Sequence, residues 1–261
     1  MWPRIQPWSA TLPIKIKIMK ILVCPVAYNE RTKVCNVIER FLKSRVYGQV
    51  DYVMVDDGSD DGTSEMIAEY RLKGVQTIKH ARRSGVGAAI RTAIHHARQN
   101  GYDIIVIMAG NDKDNPEEIP LLLAPILHEG ADLVQGSRYL GKVGTGGDMP
   151  FYRKMATRLH PMVFSLFTGS RLTDTTNGFR AIRLSIFNDP KINLNQSWLD
   201  TYELEPYILW KVITLGFKYR EVFVTKVYPP KQLGGYTKMI PLVSWWSIMR
   251  PLVYLRLGIK K

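Results

Sequence analysis

The chain has 261 residues, enough for one large α/β domain or two smaller ones. Its formal net charge of +13 indicates partners that carry negative charge, such as nucleic acid, an anionic lipid surface or a phosphorylated substrate. The two cysteines, Cys24 and Cys35, exclude a disulfide framework or a cysteine-based zinc site and indicate a reduced, cytosolic setting. No stretch approaches the ~18 apolar residues of a membrane-spanning helix.

Strands and helices alternate along the first half of the chain. Buried strands are predicted at residues 20–26, 51–55, 75–79, 104–108 and 131–135. A helical pattern separates each strand from the next, so we predict a doubly wound, mostly parallel α/β sheet with helices on both faces. In the second half we predict helices at 151–167 and 202–215 and strands at 174–183 and 218–227. In the tail at 236–261, Pro241 and Pro251 are expected to break the chain into short pieces.

The loop after the fourth strand carries two carboxylates, Asp112 and Asp114. Asn115 and Pro116 predict the start of a helix, and Glu118 is placed for a capping box. Open α/β sheets bind ligands at the carboxyl ends of their strands, so we expect a ligand site here. Carboxylates two residues apart can share Mg²⁺ or Mn²⁺. The alternative is a solvated turn that caps the helix.

Three further motifs follow strand ends. Residues 25–30 read PVAYNE, where Tyr28 can stack on a base and Glu30 can accept from ribose hydroxyls. Residues 56–63 read DDGSDDGT, and four carboxylates so close together repel one another unless cations or donors compensate. Residues 80–87 read HARRSGVG, a basic stretch with glycines before a helix that suits a phosphate. Each motif alone also fits ordinary packing or a helix cap.

Taken in order with the GSRY of residues 136–139, these motifs resemble the family 2 glycosyltransferases of the GT-A fold. The similarity is strongest to the dolichol-phosphate or polyprenyl-phosphate mannosyl- and glucosyltransferases, and it covers residues 21–238. It implies an inverting enzyme that moves a sugar from a UDP- or GDP-linked donor to a polyprenyl or dolichyl phosphate. We therefore predict an extension at 1–19, a GT-A glycosyltransferase domain at 20–238 and an amphipathic, basic tail at 239–261.

The resemblance also implies roles for individual residues. The predicted nucleotide-sugar residues are Pro25, Tyr28, Glu30, Asp56, Asp57, Gly85 and Gly87. The predicted acceptor-phosphate residues are Arg138, Arg153 and Thr157, and the predicted catalytic residues are Asp112, Arg138, Arg153 and Asp174. The predicted ligands of Mg²⁺ or Mn²⁺ are Asp112 and Asp114. Residues 177–180 (NGFR) and 235–238 (GYTK) match two further segments of the branch.

One departure from the family pattern concerns the metal. Aligned on the NPEE that follows, the family's DAD falls on Gly110, Asn111 and Asp112, so its first carboxylate is missing. We predict that Asp112 and Asp114 restore the pair one step along the loop. Weakened metal affinity and lost activity are the alternatives.

The acceptor decides whether a general base is needed. A lipid phosphate is already ionised and needs no strong base, whereas a sugar hydroxyl needs a carboxylate, for which Asp174, Glu203 and Glu205 are candidates. No Asp or Glu occurs from Val222 to Lys261, which predicts that the tail lies on an anionic membrane surface, at the cytoplasmic face. A C-terminal helix packed on the core or on a dimer partner is the alternative.

Competing functions are a glycosyltransferase that acts on a saccharide or glycolipid hydroxyl and a nucleotide-sugar-binding protein with lapsed activity. Nucleic acid is not a predicted partner, since no nucleic-acid-binding motif accompanies the charge.

Overall fold

The computed structural model describes residues 19–141, 146, 147, 149, 151–228 and 243–260, with the backbone alone at 146, 147, 243 and 244. Its strands are β1 (Ile21–Ala27), β2 (Asp51–Asp56), β3 (Val75–Lys79), β4 (Ile104–Ala109), β5 (Leu133–Ser137), β6 (Gly146–Gly147), β7 (Arg180–Arg183), β8 (Tyr219–Phe223) and β9 (Val227–Tyr228). Its helices are α1 (Arg31–Leu42), α2 (Thr63–Ala68), α3 (Val86–Gln99), α4 (Ile119–Glu129), α5 (Phe151–Thr168), α6 (Leu204–Thr214) and α7 (Val243–Arg256).

Seven strands form one central sheet in the order β3-β2-β1-β4-β7-β5-β8. All neighbours run parallel except β7, which is antiparallel to both β4 and β5. The short strands β6 and β9 pair in a separate sheet. The predicted mostly parallel sheet is confirmed.

Both faces of the sheet are covered, which explains why β1 and β4 read as continuous apolar runs. Within β1, Leu22 and Cys24 contribute to one hydrophobic core with α3 and α6. Ile21 and Val23 point the other way, into a second core with α1 and α4. Doubly wound packing therefore brings the carboxyl ends of β1, β2 and β4 to one edge, where the loops of the predicted site meet.

The prediction that Pro251 breaks the tail is wrong. Helix α7 continues through Pro251, with Leu252 fully buried in the core and Arg250 in an ion pair with Glu203. Tertiary burial of an apolar residue outweighs the one backbone hydrogen bond that a proline removes. This part of the tail thus packs on the core, whereas the predicted boundary at 238/239 lies outside the described residues.

Two smaller predictions also need correction. Asn115 does cap the turn at Pro116–Glu118, accepting from the Glu117 N–H, but the Glu118 carboxylate does not complete a capping box. It accepts instead from the backbone and hydroxyl of Thr225, at 3.0 and 2.7 Å. The predicted strand at 218–227 ends at Phe223, and its last residue belongs to β9.

The extension at 1–18, most of the glycine-rich segment 141–147 and the GYTK of residues 235–238 lie outside the described residues.

Candidate active site

A cavity of about 280 Å³ lies at the carboxyl edge of the sheet. Six predicted site residues line it: Tyr28, Glu30, Asp57, Gly85, Arg138 and Arg153. They come from loops that follow β1, β2, β3 and β5 and from the first turn of α5. The sequence motifs therefore converge on one cavity, as their positions at strand ends predict.

One end of the cavity offers an aromatic ring and a fixed carboxylate. The Arg83 guanidinium lies 4.4 Å from the centre of the Tyr28 ring, an arrangement that suits stacking on a flat heteroaromatic group. Asp57 is buried, and its carboxylate accepts from the backbone N–H groups of Ser84 and Gly85, each at 2.8 Å. Its Oδ1 also lies 2.9 Å from Nδ1 of His80. Asp57 therefore holds the loop of residues 80–87 against the cavity.

Three predicted nucleotide-binding residues contact other parts of the protein and do not line the cavity. Pro25 is buried inside β1, opposite Met108. Asp56 is fully buried, and its carboxylate organises the turn that follows β2 by accepting from the backbone and hydroxyl of Ser59 at 3.0 and 2.5 Å. A Cβ at Gly87 would lie 2.0 Å from the Leu199 carbonyl oxygen. The glycine thus permits close approach of another segment of the chain.

Arg138 and Asp174 form a buried ion pair. Nε and Nη2 of Arg138 lie 2.6 and 2.7 Å from the two oxygens of Asp174, and both side chains are almost completely buried. Burial alone would raise the pKa of Asp174, but the adjacent guanidinium outweighs this and holds the pKa below its ordinary value. Asp174 therefore orients Arg138, whose Nη1 also donates to the Tyr228 hydroxyl at 3.1 Å.

A second cavity, of about 230 Å³ and mostly apolar, adjoins the first. It lies between α5 and α7, with Leu159, Trp245 and Met249 among its walls. Arg138 and Arg153 line both cavities. Thr157 also lines the apolar one.

The Thr157 hydroxyl holds the wall of this second cavity together. It donates to the Arg153 carbonyl at 2.9 Å and lies 2.5 Å from the Tyr139 hydroxyl. Thr157 therefore ties α5 to the loop after β5, which carries Arg138.

The sequence profile described as glycosyl transferase family 2 matches residues 23–189. The polyprenol monophosphomannose synthase of Mycolicibacterium smegmatis is 30% identical over 82% of this chain and 79% of that protein. The chain belongs to glycosyl transferase family 2.

Other comparisons agree with this assignment. The undecaprenyl-phosphate mannosyltransferase of Micrococcus luteus is 30% identical, over 83% of this chain and 86% of that protein. Among solved structures, glucosyl-3-phosphoglycerate synthase from Mycobacterium tuberculosis, in complex with Mn²⁺, UDP and its glucosylated product, has a TM-score of 0.67. It shares 18% identity and covers 100% of this chain and 88% of that one, which shows the GT-A fold. The same enzyme was also solved with Mg²⁺ and UDP.

The two carboxylates predicted to hold a metal in this family 2 enzyme face different ways. Asp112 contacts α1, with its oxygens 2.6 Å from Arg40 Nη1 and 2.5 Å from Asn36 Nδ2. Asp114 is buried and accepts from the Ala109 N–H at 2.8 Å and from Lys226 Nζ at 2.6 Å. Neither is among the described residues that line the cavity.

Other acidic, histidine and cysteine side chains of the described residues do not form a cation site either. In the described part of the chain, no three His, Cys, Asp or Glu side chains are grouped to hold a metal ion. The donor set thus does not fit one Mg²⁺ or Mn²⁺ shared by Asp112 and Asp114, because each carboxylate is already paired with a different cation, Arg40 or Lys226.

The sequence reasoning missed several cavity residues, among them Lys113, Lys226 and Tyr228. The Val227 N–H donates to the Lys113 carbonyl at 3.1 Å, and this contact brings residues 226–228 against the loop after β4. Burial first, and then the charges of Arg153 and Lys226, lower the pKa of Lys113 to about 7. An anion in the cavity would relieve this crowding of positive charge.

The three candidate bases differ in their access to the cavity. Both oxygens of Asp174 face Arg138, and Glu203 is fully buried against Thr201 and Arg250. Glu205 does line the cavity, but its Oε1 lies 2.9 Å from Arg180 Nη2. Of the three, Glu205 alone is placed to reach a substrate.

Proposed function

We propose that this chain transfers a sugar from a nucleoside diphosphate sugar to a polyprenyl phosphate at a membrane surface. The observation that carries the proposal is the pair of adjoining cavities, one polar and one apolar, with Arg138 and Arg153 in the walls of both. A lipid phosphate needs such a site, since its phosphate requires cations and its chain requires an apolar wall.

The relatives support this acceptor. The names of the mycobacterial and micrococcal relatives specify polyprenol monophosphomannose synthesis and undecaprenyl-phosphate mannosyl transfer. A third relative, of Pyrococcus furiosus, is a dolichol-phosphate mannosyltransferase and is 30% identical over 67% of this chain, although the match covers 49% of that protein.

The donor fits the polar cavity. Tyr28 would stack on the base, while Glu30 would accept from ribose hydroxyls and the cations beside Tyr228 would face the diphosphate. The two glucosyl-3-phosphoglycerate synthase complexes cited above hold UDP in the same fold. The choice between UDP- and GDP-linked sugars stays open in this proposal.

The reaction is a direct displacement at the anomeric carbon. An oxygen of the acceptor phosphate forms the new bond to this carbon as the bond to the donor's diphosphate oxygen breaks, and the nucleoside diphosphate leaves with the electron pair. Arg138 and Arg153 would hold the acceptor phosphate in line, so that orientation contributes much of the rate. No carboxylate base is needed for an acceptor that is already ionised.

Helix α5 offers a surface that suits a membrane. Its apolar side chains form one exposed stripe at helical spacing: Phe151, Met155, Leu159, Met162 and Leu166. Their exposed fractions run from 58% to 79%, and the exposed cations Lys154 and Arg158 lie among them. Such a helix lies in the interface of an anionic bilayer. No helix in the described residues is long and apolar enough to cross a membrane.

The experiment is steady-state kinetics with a short polyprenyl phosphate, using UDP-glucose and GDP-mannose as donors. Arg153→Met is expected to raise the KM for the polyprenyl phosphate about tenfold or more, because a charge-assisted contact with phosphate is lost. Arg71→Met, an exposed change in the turn at Arg71–Lys73, is the matched control. Donor hydrolysis without lipid product would favour a saccharide acceptor, whereas donor binding without turnover would favour a lapsed enzyme.

A further inference from the structure

We infer that the Lys113 ammonium, rather than a divalent cation, faces the donor diphosphate in this chain, and that Lys226 keeps Asp114 from binding a metal. This inference rests on the proposed function insofar as the cavity binds a nucleoside diphosphate. The inference is supported by the contacts of four residues in the loop after β4: Gly110, Asp112, Lys113 and Asp114.

The loop has no room for the first carboxylate of the family's DAD. A Cβ at Gly110 would lie 2.8 Å from the Ala27 Cβ and 2.9 Å from the Val26 carbonyl oxygen. The Gly110 N–H also donates to that oxygen at 2.8 Å, which fixes the backbone against the end of β1. A side chain at this position would require the loop to move.

Asp112 is directed away from the cavity. Its backbone is left-handed, with φ 59°, and its carboxylate is held by Arg40 and Asn36 of α1. An arginine stays protonated at any physiological pH, so a divalent cation would have to displace the Arg40 guanidinium from Asp112.

Lys226 occupies the position that a metal would need at Asp114. Its Nζ lies 2.6 Å from Asp114 Oδ1 and 2.8 Å from Asn177 Oδ1, two oxygens of the kind that bind hard cations. The Lys226 side chain is one-tenth exposed and that of Asp114 is fully buried, so the pair is shielded from solvent. The charge of Lys226 is balanced by Asp114, and Lys226 adds little net charge to the cavity.

Lys113 brings its amine to the cavity wall, beside Arg138 and Arg153. Its Nζ lies 5.3 Å from the centre of the Tyr228 ring, and the Arg153 guanidinium lies 5.6 Å from the same centre. Arg138 reaches the hydroxyl of that tyrosine. Tyr228 therefore has three cationic side chains as neighbours, on the cavity wall where a leaving diphosphate would gain charge as its bond to the sugar breaks.

The test measures binding of UDP, GDP, CDP, ADP and dTDP to the full chain by calorimetry, first in excess chelator and then with Mn²⁺ or Mg²⁺. We expect at least one diphosphate to bind in chelator, with an affinity that added metal changes less than about threefold. Lys113→Met should weaken this binding about tenfold or more, and Lys113→Arg should restore most of it, because one charge-assisted contact is lost and regained. Lys43→Met, an exposed change directly after α1, should leave it unaltered.

Any of three results would overturn the inference. Diphosphate binding that disappears in chelator and returns with Mn²⁺ would assign the charge to a metal. Binding that is insensitive to Lys113→Met would assign the lysine a purely structural role, as would equal loss in Lys113→Arg with a lowered melting temperature.

Together with the kinetic assay of sugar transfer described above, this binding experiment separates the inference from the proposed function. Chelator-resistant, Lys113-dependent binding with no sugar transfer to polyprenyl phosphate would support the inference and remove the proposed acceptor. Absence of binding by every diphosphate would contradict both.

Discussion

Arg138 and Asp174 meet in a two-point ion pair beneath the cavity, at 2.6 and 2.7 Å, with 2% and 0% of their side chains exposed. Such a pair positions a guanidinium firmly, but it leaves a costly charge behind when one partner is removed. Asp174 thus acts through Arg138 and is no free base.

Removing the carboxylate alone should destabilise the protein strongly. Asp174→Leu leaves the Arg138 guanidinium buried without its counterion, and we expect the free energy of unfolding to fall by about 3–5 kcal/mol. The double variant Arg138→Met/Asp174→Leu should recover much of that loss, since no buried charge remains. Urea unfolding measures both, and a single variant within about 1 kcal/mol of the native chain would contradict the pairing.

Tyr28 should contribute to donor binding through its ring. Tyr28→Ala is expected to weaken nucleoside diphosphate binding by roughly 5- to 100-fold, because stacking on a base contributes about 1–3 kcal/mol. Tyr28→Phe keeps the ring beside Arg83 and should bind nearly as well as the native chain. Equal loss in both variants, measured by calorimetry, would show that the hydroxyl matters rather than the ring.

The exposed stripe of α5 should govern membrane association. Leu166→Asp places a charge where a 79% exposed leucine would enter the bilayer interface, and it should reduce co-sedimentation with anionic vesicles severalfold. Leu72→Asp is the control, because Leu72 is fully exposed but lies in the turn at Arg71–Lys73. Similar losses in the two variants would indicate a non-specific effect of charge.

His160 should make stability depend on pH. Burial lowers its pKa from 6.5 to about 4, with Thr175 and the Ile248 carbonyl as its neighbours. Between these two values the unfolded chain binds the proton and the folded chain does not, so stability falls as the pH drops from 6.5 towards 4. From pH 7 to pH 5 the loss should be about 2 kcal/mol.

Comparing the pH dependence of unfolding free energy in His160→Gln and in the native chain isolates the contribution of His160 from that of the carboxylates. The variant should lose about 2 kcal/mol less than the native chain over the same interval. Parallel curves of unfolding free energy against pH would refute the assignment.

Much of the fold could be predicted from the sequence because β1 and β4 are continuous apolar runs that end in polar motifs. The order of these motifs predicted one site for Tyr28, Asp57 and Arg138, and the family resemblance added Arg153; all four line the same cavity. The directions of the Asp112 and Asp114 side chains could not be predicted in this way. The spacing of Asp112 and Asp114 suggested a shared metal, whereas the left-handed backbone at Asp112 separates them.

Contacts between segments that are distant in the chain could also not be predicted from the sequence. Nothing local to Lys226 or Tyr228 indicates that they reach the loop after β4, since this depends on the Val227 to Lys113 hydrogen bond. The helical spacing of Phe151, Met155 and Leu159 was visible, but only the structure shows that this apolar face is exposed. The proposed membrane surface therefore lies on α5, whereas the charge pattern pointed to the tail, whose helix α7 packs on the core.

The most direct test of the proposed sugar transfer uses one reaction with a nucleotide sugar and equal amounts of polyprenyl phosphate and the matching polyprenol. Mass spectrometry of the lipids identifies the acceptor. We expect one hexose on the polyprenyl phosphate, joined through the phosphate, and none on the polyprenol. Sugar on the polyprenol hydroxyl, or donor turnover that leaves both lipids unchanged, would contradict the proposed transfer.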